Sequence, residues 1–359
     1  MKLDHIGIEV RDLFSMELFY RKVLGFRPVY HYLSKNSPGL RTVFLERDGV
    51  SLELLERPRH ASFLLDRSVS PNHISIEVQN VDGSYARLAS LHHPGMTIRP
   101  PRDTGDGFRE AELRDPEGNV IELSTRVKPP PRCRVSAVIF DVDGTLLDSE
   151  ENYYLADKKL LERYGITFSK EDKERYIGGS NRDMMLDLKR RFALPESAEE
   201  LGELKNMLYL EIAMTSTRVY PEMKRFLQLV REDGTPVAVA SGSSPPVLER
   251  LLAAVDLEKE LDVVVSAEEV SRGKPAPDIF LETARRLGVQ PQECVVVEDS
   301  QYGVEAARRA FMRCIAVPYL VEKPLADSFI MADLLFEGGM REFSAEEAFS
   351  WVKGLALPD

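Results

Sequence analysis

Val135-Ser136-Ala137-Val138-Ile139-Phe140-Asp141-Val142-Asp143-Gly144-Thr145 decides the fold of the larger, C-terminal part of the chain. Six residues of near-continuous apolar character describe a strand buried on both faces, as in a parallel sheet covered by helices. The run ends in two aspartates, at the carboxyl edge where open α/β sheets place their ligands. A tight turn accounts for Gly144. It does not account for a carboxylate at the last buried position, which is costly to desolvate unless a cation or donor meets it.

Reading outward, two further apolar runs end in the same way. Pro236-Val237-Ala238-Val239-Ala240 leads to Ser241-Gly242-Ser243, and Glu293-Cys294-Val295-Val296-Val297 leads to Glu298-Asp299-Ser300. Between them, Gly273-Lys274-Pro275-Ala276-Pro277-Asp278 holds a lysine in a proline-framed loop. Helical patterns over 246–254, 279–287 and 303–309 alternate with the strands, so a doubly wound parallel sheet is expected with its polar clusters along one edge. A lone Asp-x-Asp is common in an acidic chain, but four clusters in this order match the parts of a phosphoryl-transfer site. One carboxylate can attack phosphorus and a second can move the proton. Mg²⁺, which takes hard oxygen ligands, suits Asp141, Asp143, Glu298 and Asp299. Ser241 and Lys274 are candidates for binding the phosphoryl oxygens.

On these motifs, residues 134–350 resemble the haloacid dehalogenase superfamily, in its subgroup of β-phosphoglucomutase-like enzymes and sugar-phosphate phosphatases. The resemblance implies Asp141 as nucleophile and Asp143 as acid/base, with Ser241 and Lys274 completing the catalytic set. It implies Mg²⁺ on Asp141, the Asp143 backbone carbonyl and Asp299, with Glu298 a direct or water-mediated ligand. It also implies a helical cap over about 150–218, where 151–164, 170–176, 182–192 and 199–214 have helical character. Gly178-Gly179-Ser180-Asn181-Arg182 matches a cap segment whose arginine binds the substrate, so Arg182, with Gly242 and Ser243 below it, is expected to contact substrate. The mutases of the subgroup carry a histidine twelve residues after the nucleophile; here that position is Tyr153. The expectation is therefore a Mg²⁺-dependent phosphatase of a small phosphomonoester, a sugar or polyol phosphate, with a phosphomutase as its rival.

The whole chain has 359 residues and a net charge of -12. Residues 1–128 carry 18 Lys+Arg and 18 Asp+Glu, so all of the excess lies beyond them. The step falls at Lys128-Pro129-Pro130-Pro131-Arg132, where a triproline reads as a stiff linker. The expected domains are therefore 1–127, a linker 128–133, and 134–359. An acidic chain is a poor nucleic-acid partner, and no stretch approaches the ~20 apolar residues of a membrane span. The opening Met1-Lys2-Leu3-Asp4-His5 has no basic-then-apolar signal segment, and three scattered cysteines, Cys133, Cys294 and Cys314, read as reduced thiols. A cytoplasmic protein is expected.

The N-terminal part repeats itself. Asp4-His5-Ile6-Gly7-Ile8-Glu9-Val10 and Asn72-His73-Ile74-Ser75-Ile76-Glu77-Val78 are alternating strands, each followed by a helical pattern (14–24 and 84–91). Later strands, Leu52-Glu53-Leu54 and Ile121-Glu122-Leu123, match in turn. His5 and His73 are offset by 68 residues, Glu53 and Glu122 by 69, which describes two βαβββ units. Two imidazoles and two carboxylates at matched positions make a borderline site for Zn, Ni, Co, Mn or Fe(II). With Phe19-Tyr20-x-x-Val23-Leu24-Gly25-Phe26 and Asp115-Pro116-Glu117-Gly118-Asn119, residues 1–126 resemble the vicinal oxygen chelate superfamily of glyoxalases, epimerases and resistance proteins. The resemblance implies an α+β fold of paired units, His5, Glu53, His73 and Glu122 as metal ligands, Glu53 or Glu122 as a proton-moving base, and a homodimer paired through this domain. It fits equally a non-catalytic module that binds a small ligand. His31, His60, His92 and His93 have no repeat partner and read as surface residues.

Overall fold

The computed structural model describes residues 2–34, 37–58, 71–92, 95–114, 120–128, 134–176 and 181–356. The chain forms two compact units, Met1–Arg132 and Cys133–Asp359. The triproline, Cys133, His60, His93, the Asp115–Asn119 turn and Gly178-Gly179-Ser180 lie outside the described residues.

The first unit runs β1 (Lys2–Glu9), α1 (Leu13–Lys22), β2 (Arg27–Leu33), β3 (Arg41–Arg47), β4 (Val50–Glu56), then β5 (Pro71–Glu77), α2 (Val81–Ala89), β6 (Thr97–Ile98), β7 (Arg102–Asp103), β8 (Phe108–Arg114) and β9 (Val120–Arg126). One sheet holds them all, in the order β2-β3-β4-β1-β5-β9-β8-β6, with β7 on β8. The duplication seen in sequence is a duplication of register. Gly7 pairs with Glu53 in the parallel β1–β4 ladder, and Ser75 pairs with Glu122 in the parallel β5–β9 ladder. Across the antiparallel β1–β5 seam, Gly7 pairs with His73 and Ser75 with His5. Residues two apart on a strand share a face, so this register alone brings both histidines and both glutamates to one side of the sheet. Each helix starts on an Asx cap: Asp12 Oδ1 accepts from the Ser15 amide, and Asn80 Oδ1 from the Gly83 amide.

The second unit is a parallel sheet, β14-β13-β10-β15-β16-β17. Its strands are β10 (Ala137–Phe140), β13 (Val237–Ser241), β14 (Val263–Ser266), β15 (Cys294–Glu298), β16 (Arg313–Ala316) and β17 (Leu334–Leu335). Every residue of β10, β13 and β15 is buried, which explains why they read as unbroken apolar runs. Helices α7 (Pro221–Glu232), α8 (Pro245–Ala254), α9 (Asp278–Leu287), α10 (Gln301–Arg309) and α11 (Ala345–Ala356) supply the layers around it. A short antiparallel pair, β11 (Leu147–Asp148) with β12 (Arg218–Val219), forms a stem. Between its strands lie the four helices expected of a cap: α3 (Glu150–Glu162), α4 (Lys170–Glu174), α5 (Asn181–Phe192) and α6 (Ala198–Ser216). Reciprocal capping boxes, Ser169 with Asp172 and Ser197 with Glu200, start α4 and α6. Among the described residues no helix is long and apolar enough to cross a membrane.

Phe226 of α7 joins the sheet to the segment that leads into the C-terminal helix. It is fully buried, edge-on to Phe140 at 5.6 Å and to Phe343 at 6.0 Å. Phe226→Ala is expected to destabilise this unit by about 3–5 kcal/mol through lost burial and a cavity. Denaturant unfolding followed by Trp351, the single tryptophan, measures it; an unshifted midpoint would contradict this packing.

Candidate active site and candidate metal centre

In the second unit the polar clusters meet at the carboxyl edge of the sheet. Asp141 leaves β10 and is nearly buried, Glu298 ends β15 and is fully buried, and Asp299 follows it. Ligand-type oxygens of these three lie within 4.8 Å of one another. Lys274 reaches in from its proline-framed loop, donating to Asp141 Oδ1 at 2.5 Å and to Glu298 Oε1. Glu298 is further saturated by the strand-to-helix turn: its Oε2 accepts from the Asp299 amide at 3.2 Å, the Ser300 amide at 3.2 Å and Ser300 Oγ at 3.0 Å. One ammonium does not balance three carboxylates. Burial, with the repulsion of neighbouring acids, pushes both Asp141 and Asp299 well above the ordinary aspartate range, although Lys274 opposes this. Burial works against the Lys274 ammonium, but Asp141 and Glu298 outweigh it and raise its pKa.

Asp299 offers an oxygen suited to a cation. Its Oδ1 accepts from Thr145 Oγ1 at 3.2 Å, whereas its buried Oδ2 has no hydrogen-bond partner among the described residues. Gly144, at φ +85°, faces that oxygen, and a β-carbon there would overlap it. Asp141, Glu298 and Asp299 thus form an all-oxygen donor set that fits a hard divalent cation.

Asp143 is held apart from this charge cluster, in a ring of hydroxyls. Ser149 Oγ donates to its Oδ1 at 2.7 Å; Ser241 Oγ and Ser243 Oγ donate to its Oδ2 at 3.1 and 2.8 Å. Ser241, expected on a phosphoryl oxygen, is fully buried and its hydroxyl lies on Asp143. Tyr153, at the position where a histidine would favour a mutase, bonds Ser243 Oγ and stacks on Tyr209 at 3.8 Å.

A cavity opens between sheet edge and cap. Asp141, Asp143, Gly242, Ser243 and Lys274 line it from below, and Glu150, Tyr153, Lys173, Tyr176, Asn181, Lys205 and Asn206 are among the cap residues that close it. Gly242 and Ser243 therefore lie where substrate contact was expected. Arg182 does not: it is exposed at the start of α5 and outside the lining, and its neighbour Asn181 faces the cavity instead. Sequence reading missed Lys173 and Lys205. The signal was present in α6, where Lys205 interrupts a buried stripe of Leu201, Leu208 and Tyr209. In α3, Asp157 does the same among Tyr153, Ala156, Leu160 and Leu161.

In the first unit the register delivers its four residues to one point. His5 Nε2 is 2.9 Å from His73 Nε2 and 3.6 Å from Glu53 Oε2. His73 Nε2 is 3.3 Å from Glu53 Oε2 and 3.5 Å from Glu122 Oε2. His5 Nδ1 bonds Asp4 Oδ2 at 2.7 Å, which fixes the ring with Nε2 inward. Gly7 makes room for the other ring, since a β-carbon there would overlap the His73 imidazole. Burial alone would lower the His5 pKa, but hydrogen bonds to Asp4 and Glu53 outweigh it and carry it up to about 9. Burial pushes Glu122 up to about 7. Two buried imidazoles and two half-buried carboxylates fit a borderline divalent metal; ligand atoms of His5, Glu53 and His73 lie within 4.8 Å of one another, and Glu122 adjoins them through His73. The other histidines divide. His92 is exposed, as expected; His31 is half-buried and bonds the buried Glu17 at 2.9 Å, because β2 packs it toward α1.

Comparison with known proteins agrees with both halves. Residues 138–317 match the haloacid dehalogenase-like hydrolase family. Residues 2–123 match the glyoxalase/bleomycin resistance protein/dioxygenase superfamily. Hexitol phosphatase B of Escherichia coli is 32% identical over 203 residues, covering 56% of this chain and 91% of that protein. A fructose-1-phosphate phosphatase of E. coli is 33% identical over 192 residues, covering 52% of this chain and 98% of its own. The crystal structure of a β-phosphoglucomutase from Clostridium difficile superposes with a TM-score of 0.53 at 22% identity, over 61% of this chain and 98% of that one; at that identity the likeness is one of fold.

The start of α10 is what holds Glu298. Ser300 Oγ caps the Gly303 amide at 3.0 Å, and a β-carbon at Gly303 would overlap the Glu298 carboxylate. Gly303→Ala is expected to cost about 1–3 kcal/mol, as overpacking does. The reading is a lower thermal midpoint; an unchanged one would show that the helix start does not fix Glu298.

Proposed function

The chain belongs to the haloacid dehalogenase-like hydrolases and is a phosphoric monoester hydrolase; on that premise we propose that Asp141 is its nucleophile, Asp143 its acid/base, and a small sugar or polyol phosphate its substrate. The observation that carries this reading is the division of labour at the sheet edge. Asp141 sits beside Lys274 in a buried, cation-hungry cluster, while Asp143 sits 2.7–3.1 Å from three serine hydroxyls, outside that cluster's ion pairs. Two neighbouring carboxylates in different environments are suited to different roles.

In the proposed reaction an Asp141 carboxylate oxygen attacks phosphorus and the bond to the leaving oxygen breaks. Asp143 gives that oxygen its proton. Water then attacks the aspartyl phosphate, Asp143 takes the water's proton, and the Asp141–phosphorus bond breaks to release phosphate. Lys274 offsets phosphoryl charge throughout. Asp141, Glu298 and Asp299 would hold Mg²⁺, which supplies electrostatic stabilisation of the phosphoryl group when bound. The cap helices close the cavity against water during the first half of the reaction. Tyr153 favours hydrolysis over mutase chemistry, because its hydroxyl is engaged with Ser243 and it offers no imidazole to a second sugar hydroxyl. For the N-terminal unit we propose a resident divalent transition metal on His5, Glu53, His73 and Glu122.

Two measurements test these assignments. Phosphate release from a phosphomonoester panel is expected to fall by at least about a thousandfold in Asp141→Asn, and in the wild type to vanish with chelator and return with Mg²⁺. Equal activity of the variant and wild type would remove Asp141 from the nucleophile role. In the other unit, purified protein is expected to carry close to one divalent transition metal per chain, and Gly7→Ala, which displaces the His73 ring, to lose it. Elemental analysis that finds no metal in the wild type, or the same metal in Gly7→Ala, would contradict the four-ligand site.

A further inference from the structure

Asn152, in the first turn of α3, is a polar side chain that the phosphoryl chemistry does not use, yet it is only 6% exposed. Both ends of its amide are engaged. Its Nδ2 donates to Thr217 Oγ1 at 2.9 Å, and its Oδ1 accepts from Ser216 Oγ at 2.9 Å. Ser216 is the last residue of α6, and Thr217, also buried, is its C-cap and leads into β12. The cap joins the sheet through two chain crossings, one from β11 into α3 and one from α6 into β12. Leu147 pairs with Val219 and Asp148 with Arg218 in the stem they form. The Asn152 amide bridges the two crossings on their cap side. Such a bridge is a strong local constraint, because removing it leaves the buried Thr217 hydroxyl without that donor.

The bridge holds the turn of helix that meets Asp143. Ser149 stands at the N-cap of α3, where a serine hydroxyl ordinarily accepts from an amide of the first turn. Here it makes no such cap and donates to Asp143 Oδ1 at 2.7 Å instead. One turn on, the Tyr153 amide donates to the Ser149 carbonyl at 3.1 Å. The Tyr153 hydroxyl bonds Ser243 Oγ, which donates to Asp143 Oδ2 at 2.8 Å. Both oxygens of Asp143 are thus held through the first turn of α3, one by Ser149 and the other through Tyr153 and Ser243. Ser241 adds a donor from the sheet side. A first turn that spends its capping hydroxyl elsewhere depends on outside contacts, and Asn152 supplies one between Ser149 and Tyr153. Glu150 and Tyr153 line the cavity, whereas Asn152 is outside the lining.

We propose that Asn152 is a positioning residue for proton transfer. By tying the start of α3 to the end of α6 it fixes Ser149 and Tyr153, and through them the direction in which Asp143 presents its carboxyl to the leaving oxygen. This rests on the reading of Asp143 as acid/base and adds to it. An acid must meet the oxygen it protonates at hydrogen-bond distance, and a misplacement of about 1 Å costs on the order of a hundredfold. The loss is therefore selective. When the bond from phosphorus to an alkyl oxygen breaks, that oxygen needs the Asp143 proton. A leaving group that departs as a stabilised anion, such as p-nitrophenolate or acetate, needs it far less.

Phosphate release by the full chain with Mg²⁺ tests the proposal through kcat/KM, which reports the steps up to cleavage of the ester. The alkyl substrate is the faster of fructose 1-phosphate and glycerol 3-phosphate. The activated substrate is the faster of p-nitrophenyl phosphate and acetyl phosphate. Asn152→Ala is expected to lower kcat/KM for the alkyl substrate by about ten- to a hundredfold, and to leave the activated one within about threefold of wild type. Thr217→Val, which keeps the volume and removes the hydroxyl that Asn152 bonds, is expected to shift the ratio in the same direction. Asp143→Asn sets the reference, with a selectivity of at least about a hundredfold. An Asn152→Ala variant that slows both substrates by the same factor marks a purely structural clamp and overturns the proposal alone; so does one that slows neither. If Asn152→Ala does not fold, Thr217→Val decides in the same way. An Asp143→Asn variant without selectivity overturns the acid/base reading, and this proposal with it.

Discussion

The structure of the C-terminal unit depends on one electrostatic constraint: three carboxylates and one ammonium are buried together at the edge of a parallel sheet. Asp141, Glu298 and Asp299 bring three formal negative charges to one point, and Lys274 returns one. Much of the surrounding sequence serves to make that arrangement tolerable. The Ser300 turn spends two amides and a hydroxyl on Glu298, Thr145 is placed on Asp299, and glycines at 144 and 303 keep β-carbons out of the carboxylates' space. What these devices leave over, an Asp299 Oδ2 with no partner among the described residues, is the part suited to a cation.

The N-terminal unit meets a similar constraint by symmetry instead of by loops. A parallel ladder within each βαβββ unit and an antiparallel seam between them place Gly7, His73, Ser75, His5, Glu53 and Glu122 in matched register. A one-residue slip of either strand would turn its side chains to the opposite face, so sheet pairing and the four-residue cluster stand or fall together. The symmetry is imperfect where space is short. Gly7 admits the His73 ring, while its counterpart Ser75 instead bonds Ser124 at 2.8 Å.

The legible and illegible parts of this chain separate along a physical line. Strand ends were readable because a carboxylate after an unbroken apolar run has few inexpensive explanations, so Asp141, Ser241, Glu298 and Asp299 could be named from sequence and meet in space. The repeat was readable because register preserves spacing: offsets of 68 and 69 residues became equivalent ladder positions. The cap resisted. Its helices were placed to within a few residues, yet Arg182 turned out exposed while Asn181 beside it faces the cavity, since one residue on a helix rotates a side chain by roughly 100°. His31 likewise gave no sign of its ion pair with Glu17, a contact between a strand and a helix fourteen residues apart.

The same line separates the sheet edge from the cap. The strand-end carboxylates Asp141, Glu298 and Asp299 stand on or beside β10 and β15, which are buried on both faces and hydrogen-bonded on both edges, so their geometry is fixed by the whole sheet. The groups on the opposite wall stand on α3, α4 and α6, joined to the sheet only through the two-residue stem of β11 and β12 and the contacts that close over the cavity. A polar residue in an apolar helix stripe is destabilising for the helix pack unless it finds a partner inside it. Asp157, Lys173 and Lys205 are three such residues on three helices, and they find one another. Substituting any of them changes both the cap's internal cohesion and the charge it presents to the cavity. Cap cohesion and the charge presented to the cavity are therefore coupled through the same three side chains.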